Sequence, residues 1–203
     1  MRAVGRDPTI RALAVGWAAI DLFNAMLEAV VILYLTRSIG LPAGILGVVF
    51  AVGGVGFVVG ALLPGRITSS IGVGPTMAAA VAVIGLSDLA LPLAGHDLVA
   101  VALAVGFGQF FFGLGLTVFN VAQLSLRQAI VPDALMGRVG ATLRIASAIP
   151  VPVGALIGGV LGQTLGLRET LALAALLETA TALWIRWSPL WSLGRIDVLP
   201  EES

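Results

Sequence analysis

The chain has 203 residues, 59% of them hydrophobic and only 11% charged, with no cysteine and a formal net charge of zero. A soluble domain carries about 25% charged residues, so a mean hydropathy of +1.07 leaves too little polar surface to cover a fold in water. These figures exclude an ordinary soluble enzyme, a disordered chain and a nucleic-acid-binding protein, and the missing cysteines exclude disulfides, thiol nucleophiles and Cys-ligated metal.

A membrane-spanning helix takes about 20 residues, because the hydrocarbon core is roughly 30 Å thick and each residue rises about 1.5 Å. The chain therefore has room for six spans and no further soluble domain. The apolar runs predict a single all-α transmembrane domain over residues 1–203, with spans at 11–35, 44–63, 74–93, 98–124, 139–161 and 170–187 and a cytoplasmic tail at 188–203. Polar or helix-stopping connections fall at 37–42, 64–75, 95–97, 127–138 and 162–169. The runs are apolar at nearly every position, whereas a transmembrane β-strand alternates. The first run is too long for a cleaved signal peptide and is interrupted by Asp21, Asn24 and Glu28.

All 11 basic residues are arginine, a bias we attribute to base composition. Six spans place Arg2, Arg6, Arg11, Arg66, Arg127, Arg138, Arg186 and Arg195 on one side of the membrane and only Arg37 and Arg168 on the other, with Arg144 inside span five near the first side. The positive-inside rule then puts both termini in the cytoplasm of a multi-pass inner-membrane protein, and Trp184, Trp187 and Trp191 fit an aromatic belt at that interface. Residues 71–80, IGVGPTMAAA, match 165–174, LGLRETLALA, at one Gly, one Thr and two Ala. The first segment enters span three from inside and the second enters span six from outside, the relation of two inverted three-helix repeats.

Trp17, Asp21, Asn24 and Glu28 follow one another at spacings of four, three and four, which places them in one stripe of a helix. A carboxylate near the bilayer centre costs on the order of 2.5–3.5 kcal/mol on insertion scales. The stripe is therefore expected to face a bundle interior or a cavity, either as a proton or substrate site or as a structural pairing with another helix. Gln109, Asn120 and Gln123 occupy roughly one face of span four; Glu178 stands alone in span six and Asp88 toward the outer end of span three. These are further candidates for the substrate or proton pathway, with interhelical hydrogen bonding as the alternative. Gly56 and Gly60 on span two, and Gly154, Gly158, Gly162 and Gly166 on span five and its outer end, are four apart and predict close helix packing, with a sliding surface as the alternative. Pro150 and Pro152 predict a kink in span five. His96 beside Asp97 is a poor metal site, no phosphate-binding loop is present, and neither a cofactor nor enzymatic activity is expected.

The segments GALLPGRITSSIGVGPTM at 60–77 and SLRQAIVPDALMGRVGATLR at 125–144, with the glycine-rich run PVGALIGG at 152–159, resemble the C-terminal six-helix half of major facilitator superfamily transporters, in the enterobactin-exporter and macrolide-efflux branch. The resemblance covers nearly the whole chain. It implies one half of a twelve-helix exporter that moves a small hydrophobic or amphipathic molecule outward by alternating access, driven by proton entry, with Asp21 or Glu28 exchanging protons. Gly60, Leu62, Arg66 and Gly72 match the family's loop, and Gly60, Arg66, Gly72, Arg127 and Arg138 become candidate cytoplasmic gate residues. Pro64 stands near where the family's N-terminal copy of the loop carries an acidic residue, and Ser69 and Ser70 where relatives often carry arginines, so Arg66 and Arg138 alone are kept for holding the closed state. A lone half implies a missing N-terminal half lost by truncation, the favoured expectation, or a second chain, or a homodimer. The rival reading is a non-transporting membrane subunit that binds partner helices through its glycine ridges.

Overall fold

In the computed structural model of the chain, residues 8–95, 97–131, 136–137, 140–141 and 148–192 are described. Arg2, Arg6, His96, Arg138, Arg144 and Arg195 lie outside them. The described residues form α-helices joined by short turns, with no strand among them. Four helical stretches are long and apolar enough to cross a membrane: Arg11–Ser38, Ala43–Ala61, Val73–Leu93 and Leu98–Ala129.

Helix α1, Pro8–Leu33, carries proline at its first position, where the missing N–H costs nothing. It widens into a π-helical turn at Tyr34–Ser38. Gly40, at φ 74°, then reverses the chain so that the Leu41 N–H donates to the Leu35 carbonyl at 2.9 Å. Helix α2, Ala43–Ala61, follows Pro42. The expected connection at 64–75 holds a short helix, α3, Pro64–Ile71, again opened by proline. Helix α4, Val73–Leu93, contains Pro92. Helix α5, Leu98–Ile130, starts where the Asp97 carboxylate accepts from the Ala100 N–H at 2.8 Å. It runs past the expected end at 124 and stops at Val131, which is extended (φ −107°, ψ 122°) as a residue preceding proline prefers. Arg127 is therefore in its last turn and not in a loop. Helix α6 is described over Pro150–Thr164, with Pro150 and Pro152 in its first turn; Ala148 before it is helical and Ile149 is a turn residue, so the helix is interrupted where the prolines fall. Helix α7, Leu167–Trp187, carries Arg168, Glu169, Glu178 and Arg186. After it, a 3₁₀ turn at Pro189–Ser192 buries Leu190 against the bundle, so the tail expected from 188 is packed at its start.

The six longer helices pack in the row α2–α5–α4–α7–α1–α6. Their directions follow from the contacts. Gly154 and Gly158 of α6 lie on the backbone carbonyls of Leu22 and Met26, so α6 and α1 are parallel. Gly56 and Gly60 of α2 lie on the carbonyls of Phe110 and Leu114, so α2 and α5 are parallel. The Arg168 Nε–H donates to the Pro92 carbonyl at 2.8 Å while Gly74 sits on Leu190, so α4 and α7 are antiparallel. Consecutive long helices thus alternate in direction.

Two apolar cores fill this bundle. One, at the end that holds the start of α1, gathers Leu13, Ile20, Met77, Val81, Phe119, Leu126 and Ile185. The other, at the opposite end, gathers Met26, Val30, Tyr34, Leu91, Val101, Val105 and Leu171. The stretch between them carries polar and small residues on every central helix. It holds Asp21 and Asn24 on α1, Gly85, Ser87 and Asp88 on α4, Gly108 and Gln109 on α5, and Glu178, Thr179 and Thr181 on α7.

Candidate functional site

A cleft of about 410 Å³ opens from this seam. Asn24, Leu27, Glu28, Val31 and Ile32 of α1, Phe50 of α2, Asp88 of α4, and Gln109 and Phe112 of α5 line it. The spacing of Asn24 and Glu28 puts both on one face of α1, and the apolar neighbours Leu27 and Val31 turn the same face toward the bundle. Phe50 and Phe112 give the cleft aromatic walls, and no arginine lines it among the described residues. The site is acidic, partly amide and otherwise apolar.

Glycines set its width. Gly53 sits against Gln109, and Gly113 returns the contact against the backbone of Gly53 and Phe57. Gly108 approaches the Ser87 carbonyl, where an added Cβ would stand 3.1 Å away. Small residues on three helices thus bring α2, α4 and α5 close beneath the cleft.

Behind Asp88 lies Glu178, with no solvent exposure. The two carboxyl groups are within hydrogen-bonding reach of each other, and Glu28 is near enough to act on both electrostatically. Both Glu178 oxygens and Asp88 Oδ2 are buried without a donor among the described groups. The adjacent hydroxyls do not help. Ser87 donates to the Ile84 carbonyl at 2.7 Å, Thr179 to Ala175 at 2.8 Å and Thr181 to Leu177 at 3.1 Å, each within its own helix.

The sequence candidates divide accordingly. Asn24, Glu28 and Gln109 share the cleft, with Glu178 one side chain behind it. Asp21 lies in the seam but is not a cleft-lining residue. Asn120 and Gln123 are further along α5, about 16 Å or more from Gln109 at helical rise. The first is exposed and the second buried with no partner for Nε2, so they join no common site with Gln109. Among the gate candidates, Gly60 packs on Leu114 and Thr117, Arg66 is exposed on α3, and Gly72 (φ 89°) caps α4. Arg127 is half-buried with Nε unpartnered, and Arg138 lies outside the described residues. Gly56, Gly154 and Gly158 touch neighbouring backbone, while Gly162 meets the Val30 side chain. The pairing of Asp88 with Glu178 had no signal in the sequence, because 90 positions separate two isolated acids.

No family model and no curated protein matches the chain.

Proposed function

We propose that this chain is a six-span inner-membrane protein, one half of a major-facilitator-type exporter, which carries a small amphipathic molecule outward in exchange for protons. The observation that carries the proposal is the acidic, aromatic-walled cleft of Asn24, Glu28, Phe50, Asp88, Gln109 and Phe112 among helices otherwise fit for lipid. A carboxylate facing hydrocarbon is too costly to leave there without a role. The open side of the cleft is completed by a second six-helix unit, which supplies the facing wall. The exposed small residues Gly47, Ala51 and Gly54 of α2, which leave room for a close neighbour, suit such a contact.

The helix order supports two inverted three-helix repeats. Exchanging α1 with α5, α2 with α6 and α4 with α7 turns the row into its own reverse. The glycine contacts of α2 on α5 exchange with those of α6 on α1. An interval of 94 residues separates Gly72 from Gly166, Thr76 from Thr170 and Gly85 from Thr179. Gly72 and Gly166 both cap a helix at positive φ (89° and 110°), and the two threonines donate to those glycine carbonyls at 2.6 and 2.7 Å. Gly85 and Thr179 touch each other, as equivalent residues at a two-fold axis do. This symmetry also supports counting α6 and α7 as spans, with both termini on the arginine-rich, cytoplasmic side.

The scaffold reading loses its stated basis, because Gly56, Gly60, Gly154 and Gly158 are occupied within the chain. The test is efflux from proteoliposomes holding the chain with whatever partner copurifies, using ethidium and Nile red as cationic and neutral probes. An imposed proton gradient is expected to drive one of them, and Glu28→Gln is expected to slow that movement at least tenfold. Gradient-independent leakage identical with and without protein would overturn the transport reading.

A further inference from the structure

Asp88 and Glu178 meet where the apolar core is interrupted, on the two helices that lie at the centre of the row. Glu178 is wholly enclosed, and neither of its oxygens has a donor from any described backbone or side-chain group. Asp88 has one oxygen in the same condition, while its residue borders the cleft. The backbone adds a further acceptor. Pro92 has no N–H to give to the Asp88 carbonyl four residues earlier, so the helix is one bond short at this level. Both Glu178 oxygens and Asp88 Oδ2 are therefore acceptors that no described group fills. A carboxylate can only accept, whereas a protonated carboxyl can donate.

Among the described residues, the charged surroundings offer no cation in place of a proton. Helix α5, packed on α4, carries no charged side chain before Arg127 at its far end, and the described part of α6 carries none. Helix α3 brings only the exposed Arg66. On α7 itself, Arg168, Glu169 and Arg186 stand in the first and last turns. Helix α1 brings Glu28, a further negative group, with Asp21 in the same seam and Arg11 near the helix start. Two adjacent carboxylates in such a site repel strongly, and removing one charge by protonation is the standard resolution.

We propose that Asp88 and Glu178 form a carboxyl pair that holds one proton between them and exchanges it with water through the cleft. Uptake moves a proton from hydronium onto an Asp88 carboxylate oxygen and forms one O–H···O bond to Glu178. Release breaks that bond and returns the proton to water. The pair is a proton-binding site in its own right. Its use as the coupling site, in place of Asp21 or Glu28, rests on the transport reading above.

The experiment is infrared spectroscopy of the full chain in lipid nanodiscs across a pH series, in H₂O and D₂O. The native protein is expected to show a protonated-carboxyl C=O band that shifts in D₂O and is lost as pH rises. The band should disappear in Asp88→Asn and in Glu178→Gln, and should persist in Glu169→Gln. Glutamine matches glutamate in size, and the half-exposed Asp88 gives a second variant should Glu178→Gln fail to fold, with circular dichroism reporting helix content. A folded native chain without the band, or a band that survives both pair variants, would overturn the proposal. A band that behaves as expected in a chain that moves no probe would uphold the pair and remove only the transport reading.

Discussion

At the scale of single residues, the bundle is governed by what a side chain would meet. Gly56 and Gly54 are two positions apart on α2, yet a Cβ at Gly56 would run into the Phe110 carbonyl, whereas nothing lies within 4 Å of one at Gly54. Gly154 and Gly159 of α6 make the same contrast, with Leu22 as the obstacle for Gly154. Gly56→Ala and Gly154→Ala are expected to destabilise by about 1–3 kcal/mol through overpacking. Gly54→Ala and Gly159→Ala should instead be neutral or stabilising by roughly 0.5–1 kcal/mol, because alanine loses less backbone freedom in a helix. Thermal unfolding of the four variants in one detergent gives the comparison; equal midpoints would mean that backbone contact does not decide the packing. The four-residue glycine spacing was visible in the sequence, but which glycines meet a neighbour was not. Spacing defines a face, and only the packed helices show what the face opposes. The same limit applies to the acids. Asn24 and Glu28 share a stripe by local periodicity, whereas Asp88 reaches Glu178 only because α4 lies on α7.

Among the elements, hydropathy located helices better than it located their ends. Helices α2 and α4, Ala43–Ala61 and Val73–Leu93, lie close to the expected 44–63 and 74–93. Their ends coincide with proline and glycine, whose backbone limits are local. Helix α5 exceeds its expected end because Ser125–Ile130 is polar enough to leave the bilayer yet contains nothing that stops a helix before Pro132. At about 50 Å by helical rise, it is longer than the hydrocarbon is thick. Helix α3 was hidden by composition, since Pro64, Gly65, Ser69 and Ser70 read as a loop, although proline is well suited to a first turn. Contacts between element ends are a different matter, because they are long-range. The Arg168 guanidinium reaches back 76 positions to the Pro92 carbonyl and ties the start of α7 to the end of α4. Arg168→Ala is expected to lower stability by about 1 kcal/mol, as for one partly exposed charge-assisted hydrogen bond. It should also speed amide hydrogen exchange in the last turn of α4 while leaving the turn at Gly74 unchanged. Unaltered exchange at both ends would mean that the bond holds nothing in place.

For the whole molecule, the alternating directions of the six helices make a prediction about sides. The π-helical turn ending at Ser38 and the short helix α3 carrying Ser69 lie at opposite ends of α2, and both serines are exposed. If α2 crosses the bilayer, the two positions face opposite compartments. The chain has no cysteine, so Ser38→Cys and Ser69→Cys each introduce a single thiol into an otherwise unreactive protein. The arginine distribution assigns Ser69, beside Arg66, to the cytoplasm and Ser38, beside Arg37, to the outside. A membrane-impermeant maleimide applied to spheroplasts is therefore expected to label Ser38→Cys at once and Ser69→Cys only after lysis. Labelling of both from the same side would remove α2 as a span, and with it the two-fold relation that exchanges α2 with α6. Partial labelling of each from both sides would mean that copies insert in both orientations, a result the arginine bias argues against. The expected outcome would fix the cleft in the outer half of the bundle, since Glu28, Val31 and Ile32 lie on the Ser38 side of α1 and Asp88 on the Pro92 side of α4. A proton arriving from outside would then meet the carboxyl pair before crossing the inner apolar core.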